Sequence, residues 1–560
     1  VILDFRDLAG LAGHPETVVI VGSGAAGLAL ALALCERGLP VVVIESGGDV
    51  TDPEAIRRAA HLNDGVVAGL PYELASGRAR VLGGTTELWH GQCMRLHEID
   101  LRERPWVPHS GWPLSLKDLS ADYAAAETWL GVTGLGYDEV RWNEHPRLEQ
   151  LAWDESRLQH DFTEYAPDPC LGRRHRARLA SLASVEVVLN ATASRVLLDG
   201  SGAATGVEVV GADCSHRIVQ GRRIVLAAGA IENARLLQLS DPAGIGLGTG
   251  REHTGRFLLD HPVVLTAEVK PYDYRVLQDR FVALHKGRRQ LFPKLRLAPA
   301  AQEAHGLLDA TAVFLHEHHD PSFAAARRLL RSARRRRRPE DVVRDSVLAL
   351  QAPTRIVRDT YRRYARGLAT SVRPAHVWLQ LWLEQAPDPR SRVTLDDSVD
   401  ALGLRRARVA WRCGDQELET SRRMTRWIAE DLARLRLADV HELPAMHDDG
   451  AWRAAVRDVA HPAGTTRMSL RPDKGVVDAD LAVHGVHGLY VVGSSVFPTS
   501  GYANPTLTIA ALALRLARHL SGASTMPPPP PPASSSLHDT DRDEAADRLA
   551  DVDVPVAAPA

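Results

Sequence analysis

Val18-Val19-Ile20-Val21-Gly22-Ser23-Gly24-Ala25-Ala26-Gly27, continued by apolar residues 28–34 and closed by Val41-Val42-Val43-Ile44-Glu45, is the stretch that decides the fold. Four β-branched or aliphatic residues read as a short strand, the glycines as a turn, residues 28–34 as a helix, and the next run as a second strand. That order is a βαβ unit. A strand apolar at every position is buried on both faces, which predicts the parallel sheet of a doubly wound α/β fold. Residues 18–34 are uncharged and nearly long enough to cross a membrane, but Gly22, Gly24 and Gly27 interrupt them and no basic region precedes them. The stretch therefore reads as buried strand, turn and helix.

The turn carries chemistry as well as topology. Gly22, Gly24 and Gly27 form a GxGxxG pattern in the context it requires, after a strand and at the start of a helix. Glycines let backbone approach a pyrophosphate, and the helix start supplies unpaired N–H groups and partial positive charge. Glu45 ends the second strand, 21 residues after Gly24, where a carboxylate accepts hydrogen bonds from two ribose hydroxyls. A glycine-rich packing turn would not call for that acid, so a dinucleotide site is the better reading.

Working outward, residues 223–229 (Arg-Ile-Val-Leu-Ala-Ala-Gly) and 488–493 (Gly-Leu-Tyr-Val-Val-Gly) repeat the apolar pattern and are expected in the same sheet. The cofactor domain is then discontinuous: residues 14–100, 185–261 and 453–520. Residues 101–184 and 262–452 are assigned to a substrate-binding domain with strand-like pieces, such as 263–265 and 376–383, between arginine-rich helical stretches. Residues 521–560, with prolines at 527–532, serines and scattered charges, are expected to be a disordered tail dispensable for catalysis.

Composition sets outer limits. A chain of 560 residues is too long for one ordinary core. Its charged share of 24% and net charge of -3 point to neither nucleic acid nor an anionic membrane. The arginine run 334–338 lies in a helix-like segment with acidic neighbours and reads as a solvated face. Only five of the 67 basic residues are lysines (Lys117, Lys270, Lys286, Lys294, Lys474), as codon bias in a GC-rich genome would produce. Five cysteines (Cys35, Cys93, Cys170, Cys214, Cys413), odd in number and without CxxC pairs, fit a reducing compartment. With no signal-peptide pattern, the expectation is a soluble, cytoplasmic protein.

Two further segments refine the cofactor. Residues 80–91 pack Gly83, Gly84 and Gly91 with Thr85, Thr86 and Trp89, suiting backbone that passes a flat ring and its phosphates. The second is His461-Pro462-Ala463-Gly464-Thr465-Thr466-Arg467-Met468, followed by Gly493-Ser494-Ser495-Val496-Phe497-Pro498 and Asn504-Pro505-Thr506-Leu507-Thr508. In this order the segments resemble the glucose-methanol-choline (GMC) oxidoreductases over roughly residues 16–520. The resemblance implies FAD as cofactor and an α/β fold, in which a Rossmann-like doubly wound FAD-binding domain is joined to a discontinuous substrate domain on an antiparallel sheet with helices.

By the same resemblance, Gly22, Gly24, Ala26, Gly27, Glu45 and Ser46 hold the ADP half of FAD. Gly83, Gly84, Thr85, Trp89 and Gly91 lie along the pyrophosphate and flavin, and Ala228, Gly229, Ala230, Gly493, Ser494, Asn504, Pro505 and Thr506 complete the cradle. His461 and Asn504 match the family's catalytic pair. Alcohol oxidation needs a base for the hydroxyl proton while hydride leaves carbon for flavin N5, and a neutral imidazole suits that task. Asn504 cannot titrate, so it orients the substrate oxygen. His90 and His261 are expected to pack beside the site. The His316-Glu317-His318-His319-Asp320 cluster reads as a loop, because consecutive residues do not easily converge on one ion, and no metal is expected. Some family members bond flavin covalently through a histidine where this chain has Leu88, so noncovalent FAD is expected, with His90 the one alternative anchor.

The implied activity is oxidation of a CH–OH group of a sugar-like molecule, with O2 or another electron acceptor and no nucleic-acid or membrane partner. Residues 110–113 (SGWP), 384–395 (EQAPDPRSRVTL) and 504–508 (NPTLT) resemble bacterial forms that include sugar oxidases and enzymes acting on a hydroxymethyl group in aminoglycoside antibiotic biosynthesis. The alternatives are a hydroxynitrile lyase-type enzyme, which keeps FAD without net redox, and a non-catalytic flavin-binding protein. Asn504 in place of a second histidine favours oxidation over the lyase. The exact hydroxyl, and whether oxidation continues to an acid, are not written in these motifs.

Overall fold

The computed structural model describes residues 1–10, 14–132, 151–286, 289–317 and 373–522, with isolated helical positions between 325 and 362. Val18–Val21 lies inside a parallel sheet ordered Ile2–Asp4, Val185–Leu189, Val41–Ile44, Val18–Val21, Arg223–Leu226, Leu489–Val491. Both later apolar runs thus pair as their composition predicts, Arg223–Leu226 running parallel to Val18–Val21 on one side and to Leu489–Val491 on the other. Every residue of Val18–Val21 and Val41–Ile44 is buried. Helix Ala25–Cys35 is buried from Ala26 to Leu34, as a helix apolar all round must be, and packs beside Thr506–Ser521 in one continuous core. Ile2–Asp4 adds an edge strand that precedes the quoted stretch.

A second sheet is antiparallel along its main path: Ala438–Glu442, Val263–Pro271, His376–Leu383, Ala310–Glu317, Arg289–Leu297, Leu158–Tyr165 and Gln92–Cys93. The period-2 alternation of its strands gives it two different faces. Leu295, Ala312, Phe314, Leu379 and Leu381 point into a second core, covered by the amphipathic helix Asp415–Arg434 through Leu418, Met424, Trp427, Ile428 and Leu432. Their neighbours Lys294, Val313, Leu315, Gln380 and Trp382 point the other way, into a cavity. The fold is therefore mixed α/β, a parallel sheet plus antiparallel sheets, as anticipated.

One local expectation is corrected. His316 and Glu317 do not lie in a loop; they end strand Ala310–Glu317, because the ladder with His376–Leu383 continues to the pair Glu317 and His376. His318, His319 and Asp320 lie outside the described residues, as do the arginine run 334–338 and the tail beyond residue 522. Among the described residues, no helix is long and apolar enough to cross a membrane.

The segment after helix Glu98–Leu101 is tied to the antiparallel sheet by an ion pair with no exposed side-chain surface. Arg104 Nη1 donates to Glu384 Oε2 at 2.8 Å and Nη2 donates to Oε1, while Glu384 also accepts from the backbone N–H of Asp309 at 3.0 Å. Removing one partner of such a pair leaves a buried, uncompensated charge. Glu384→Ala is expected to lower the unfolding free energy by about 3–5 kcal/mol, read from urea melts.

Candidate active site

Between the carboxyl ends of the parallel strands and the polar-lined face of the antiparallel sheet lies a cavity of about 650 Å³. Doubly wound folds place ligands at that end of the sheet, where strands leave in opposite directions from the first one. Here Val18–Val21 is flanked by Val41–Ile44 on one side and Arg223–Leu226 on the other.

At the glycine end, the helices Ala25–Cys35, Gly229–Leu239 and Thr506–Ser521 all begin at the cavity wall, and none has a side-chain cap. Their first-turn N–H groups and partial positive charges suit phosphate and other electron-rich groups. Gly24, Gly229 and Gly493 line this wall, and a Cβ on any of them would meet nothing within 4 Å, so the backbone there is bare toward the cavity. Glu45, 5% exposed, accepts from Ser23 N at 3.0 Å, Ser23 Oγ at 2.7 Å and Gly47 N at 2.9 Å. Those bonds clamp the carboxylate to the turn and leave it lone pairs for ribose hydroxyls. These residues fit FAD: bare backbone, converging helix starts and a fixed acid in one cleft.

Gly27, Gly83 and Gly91 do not line the cavity; each acts through packing. A Cβ on Gly27 would lie 1.9 Å from the Gly22 carbonyl oxygen, one on Gly83 would lie 2.6 Å from Gly172 N, and one on Gly91 would touch Pro169. Gly22, Ala26, Ser46, Gly84, Thr85, Trp89, Ala228, Ser494, Asn504, Pro505 and Thr506 do line it. Glu232 and its arginines are a feature the motifs did not reveal. Burial works to raise the Glu232 carboxyl, but Arg80, Arg235 and Arg78 outweigh it and hold the group far below the usual range.

At the far end stand His461 and Asn504, with Trp382, Gln380 and Lys294 from the antiparallel sheet. His461 sits on a loop zipped to residues 259–263, through the bridges of Leu259 with Ala463 and Val263 with Arg457. Inside the loop, the buried Asp260 carboxylate accepts from the backbone N–H of His461 at 3.1 Å, of Val459 at 3.3 Å and of His261 at 2.8 Å, and from Tyr72 Oη at 2.8 Å. Burial and neighbouring Asp458 push Asp260 up to about 7 despite those donors. Asp260 was not singled out in the sequence; its adjacency to His261 was the only signal.

The rings of His261 and His461 meet edge-on with Nδ1 atoms 2.9 Å apart. Burial lowers both, with His261 adding to the effect on His461 and Lys294 to the effect on each; His261 falls to about 4 and His461 lies well below the ordinary imidazole range. Both are neutral near pH 7, so one Nδ1 donates and the other accepts. Below this end, His97 Nε2 lies 2.8 Å from Asp161 Oδ2, and ligand-type atoms of His97, Asp100 and Asp309 lie within 4.8 Å of one another. His97 is raised well above its usual value although burial opposes this, because Asp161 and Asp100 favour the imidazolium. As an imidazolium, His97 offsets part of the negative charge of these carboxylates.

Sequence comparison agrees with this geometry. Residues 17–336 match the family described as FAD dependent oxidoreductase, and residues 387–513 match the family described as GMC oxidoreductase. The chain is 25% identical to paromamine 6'-oxidase of Streptomyces fradiae over 90% of this chain and 91% of that protein. It is likewise 25% identical to C-glycoside 3-oxidase of Arthrobacter globiformis over 90% of this chain and 94% of that protein. Formate oxidase of Aspergillus oryzae RIB40 superposes with a TM-score of 0.55 at 18% identity, over 92% of this chain and 99% of that one, which shows the shared fold. Matched over more than half its length by the one family and across its C-terminal part by the other, the chain belongs to the FAD-dependent oxidoreductases of the GMC type.

Proposed function

We propose that the protein oxidises a hydroxyl of a sugar-like alcohol, with His461 as base and Asn504 as the group that holds the reacting oxygen. The observation that carries this reading is the convergence of both side chains on one cavity that runs back to the glycine turn and Glu45. A proton on Nδ1 of His461, donated to Nδ1 of His261, leaves Nε2 with its lone pair, the form a base requires. His261 then fixes tautomer and ring plane, a more specific part than simple packing. FAD, when bound, supplies the two-electron acceptor for hydride leaving the carbon.

Trp89, Trp382, Gln92 and Gln380 line the chamber with aromatic faces and amides, which suit the C–H faces and hydroxyls of a sugar. The activities named for the two relatives, on an aminoglycoside and a C-glycoside, support the same class. We take FAD to be held noncovalently, because Leu88 lines the cavity at the position where some relatives carry the attaching histidine. His90 lines the cavity too and is the residue this reading must exclude.

Anaerobic mixing with sugars and aminocyclitol glycosides is expected to bleach the flavin; cyanohydrin cleavage at unchanged absorbance would replace oxidation with a lyase reaction. His461→Ala is expected to keep its yellow colour and lose about 10²- to 10⁴-fold in the rate of flavin reduction, roughly 3–5 kcal/mol in barrier. A near wild-type rate would remove His461 from its role. Because burial keeps His461 neutral, the reduction rate should stay level as pH falls through the ordinary imidazole value of about 6.5. Acid precipitation should release the colour into the supernatant; a yellow pellet would point to a covalent bond at His90.

A further inference from the structure

Lys294 stands where no motif places it. It lies on strand Arg289–Leu297, opposite Asp161 in the ladder with Leu158–Tyr165, and its side chain is 2% exposed at the substrate end of the cavity. Nζ donates to Asn504 Oδ1 at 3.4 Å and lies 5.4 Å and 5.6 Å from the ring centroids of Trp382 and Tyr502. Among the described residues, no carboxylate lies within ion-pair distance of it. Asp161 attracts it from farther away, but that carboxylate already accepts from Tyr502 Oη and from the Phe162 backbone N–H, and binds His97 Nε2. Among the described residues, the carboxylates on the cavity wall, Glu45 and Glu232, belong to the nucleotide end and are engaged there. A buried cation without a counterion is disfavoured by several kcal/mol, so its retention at a reacting centre points to negative charge arriving from outside.

We propose that Lys294 is a third member of the reacting centre: jointly with Asn504 it binds the substrate oxygen and holds the negative charge that builds there, so that alcohols with an ammonium group beside the reacting carbon are excluded. The proposal rests on the alcohol-oxidation reading above. In the step, the O–H bond breaks and its proton passes to Nε2 of His461, while the electron pair stays on oxygen. A Lys294 N–H and an Asn504 Nδ2–H donate to that oxygen. FAD, when bound, would take the C–H pair as hydride as the C=O bond forms, and Lys294 keeps its proton. The bond from Lys294 engages the Asn504 carbonyl oxygen, which leaves the NH2 group as the amide's donor for substrate.

Lys294 is faced by Asp161 from its neighbouring strand, by Trp382 from two strands along the same sheet, by His261 and His461 from the zipped loop, and by Tyr502 and Asn504 from the loop before Thr506–Ser521. Burial pushes its ammonium down to about 8, with Asp161 opposing. The charge is therefore present at neutral pH and lost as pH rises through that value.

Acetate, a small anion that needs no turnover, tests the assignment when titrated into the oxidised FAD-loaded enzyme and followed by flavin absorbance. Acetate should bind the wild type and weaken about tenfold between pH 7 and pH 9, as a site needing one proton with a pKa of about 8 requires. K294M and K294Q, still carrying FAD, should bind acetate at least tenfold more weakly at pH 7; K294R should keep most of the affinity, and tetramethylammonium should bind K294M better than wild type. Affinity independent of pH in the wild type, or unchanged in K294M, overturns the proposal, and the wild-type profile decides even where a variant loses FAD. Failure of every alcohol to bleach the flavin, with acetate binding still dependent on Lys294, would instead refute alcohol oxidation and leave the anion site standing.

Discussion

The missing side chain of Gly27 governs how closely helix Ala25–Cys35 seats on the turn that precedes it. With a Cβ at 1.9 Å from the Gly22 carbonyl oxygen, the helix would have to withdraw from the strand ends. Its first-turn N–H groups would withdraw from the cavity as well. Gly22 itself has φ +103° and no room for a side chain against Ala227 and Ala228, so the turn is also pressed against the neighbouring strand exit. The nucleotide end of the cavity is thus a consequence of backbone approaching backbone. Glu45, clamped by Ser23 and Gly47, keeps the carboxylate in register with it.

The reacting end is built by a different device. No regular element carries His461; its loop is held by bridges to residues 259–263 and by one carboxylate, Asp260, that gathers three backbone N–H groups and a tyrosine hydroxyl. A single acceptor serving donors from both strands of a zipped loop fixes both histidines at once. The antiparallel sheet closes the chamber from the other side, and strand alternation sends Lys294, Gln380 and Trp382 inward while Leu295, Leu379 and Leu381 fill the core behind. Positional precision at the reacting centre thus comes from the sheet's rigidity on one face and from the Asp260 bracket on the other.

Charge is distributed to match. Glu232 has arginines as ion-pair partners and His97 has Asp100 and Asp161, whereas the Lys294 ammonium leans on an amide and two aromatic faces. Neutral His261 and His461 beside it fit the same pattern, since a neighbouring cation disfavours a second one.

By itself the sequence determined the parallel sheet, the glycine turn with Glu45, the mixed α/β class and the family, because each rests on short-range pattern: a uniformly apolar strand, an uncapped helix start, a motif of fixed spacing. It also pointed to His461 and Asn504, which the fold brings to one cavity from positions 43 residues apart. Only the tertiary structure decided the placement of Lys294 and Asp260, the Nδ1 contact that gives His261 a part beyond packing, and the strand identity of His316 and Glu317. Those depend on which strand lies opposite which and which side chains share a low-dielectric interior, and such relations between residues distant in the chain leave no local trace in composition or period.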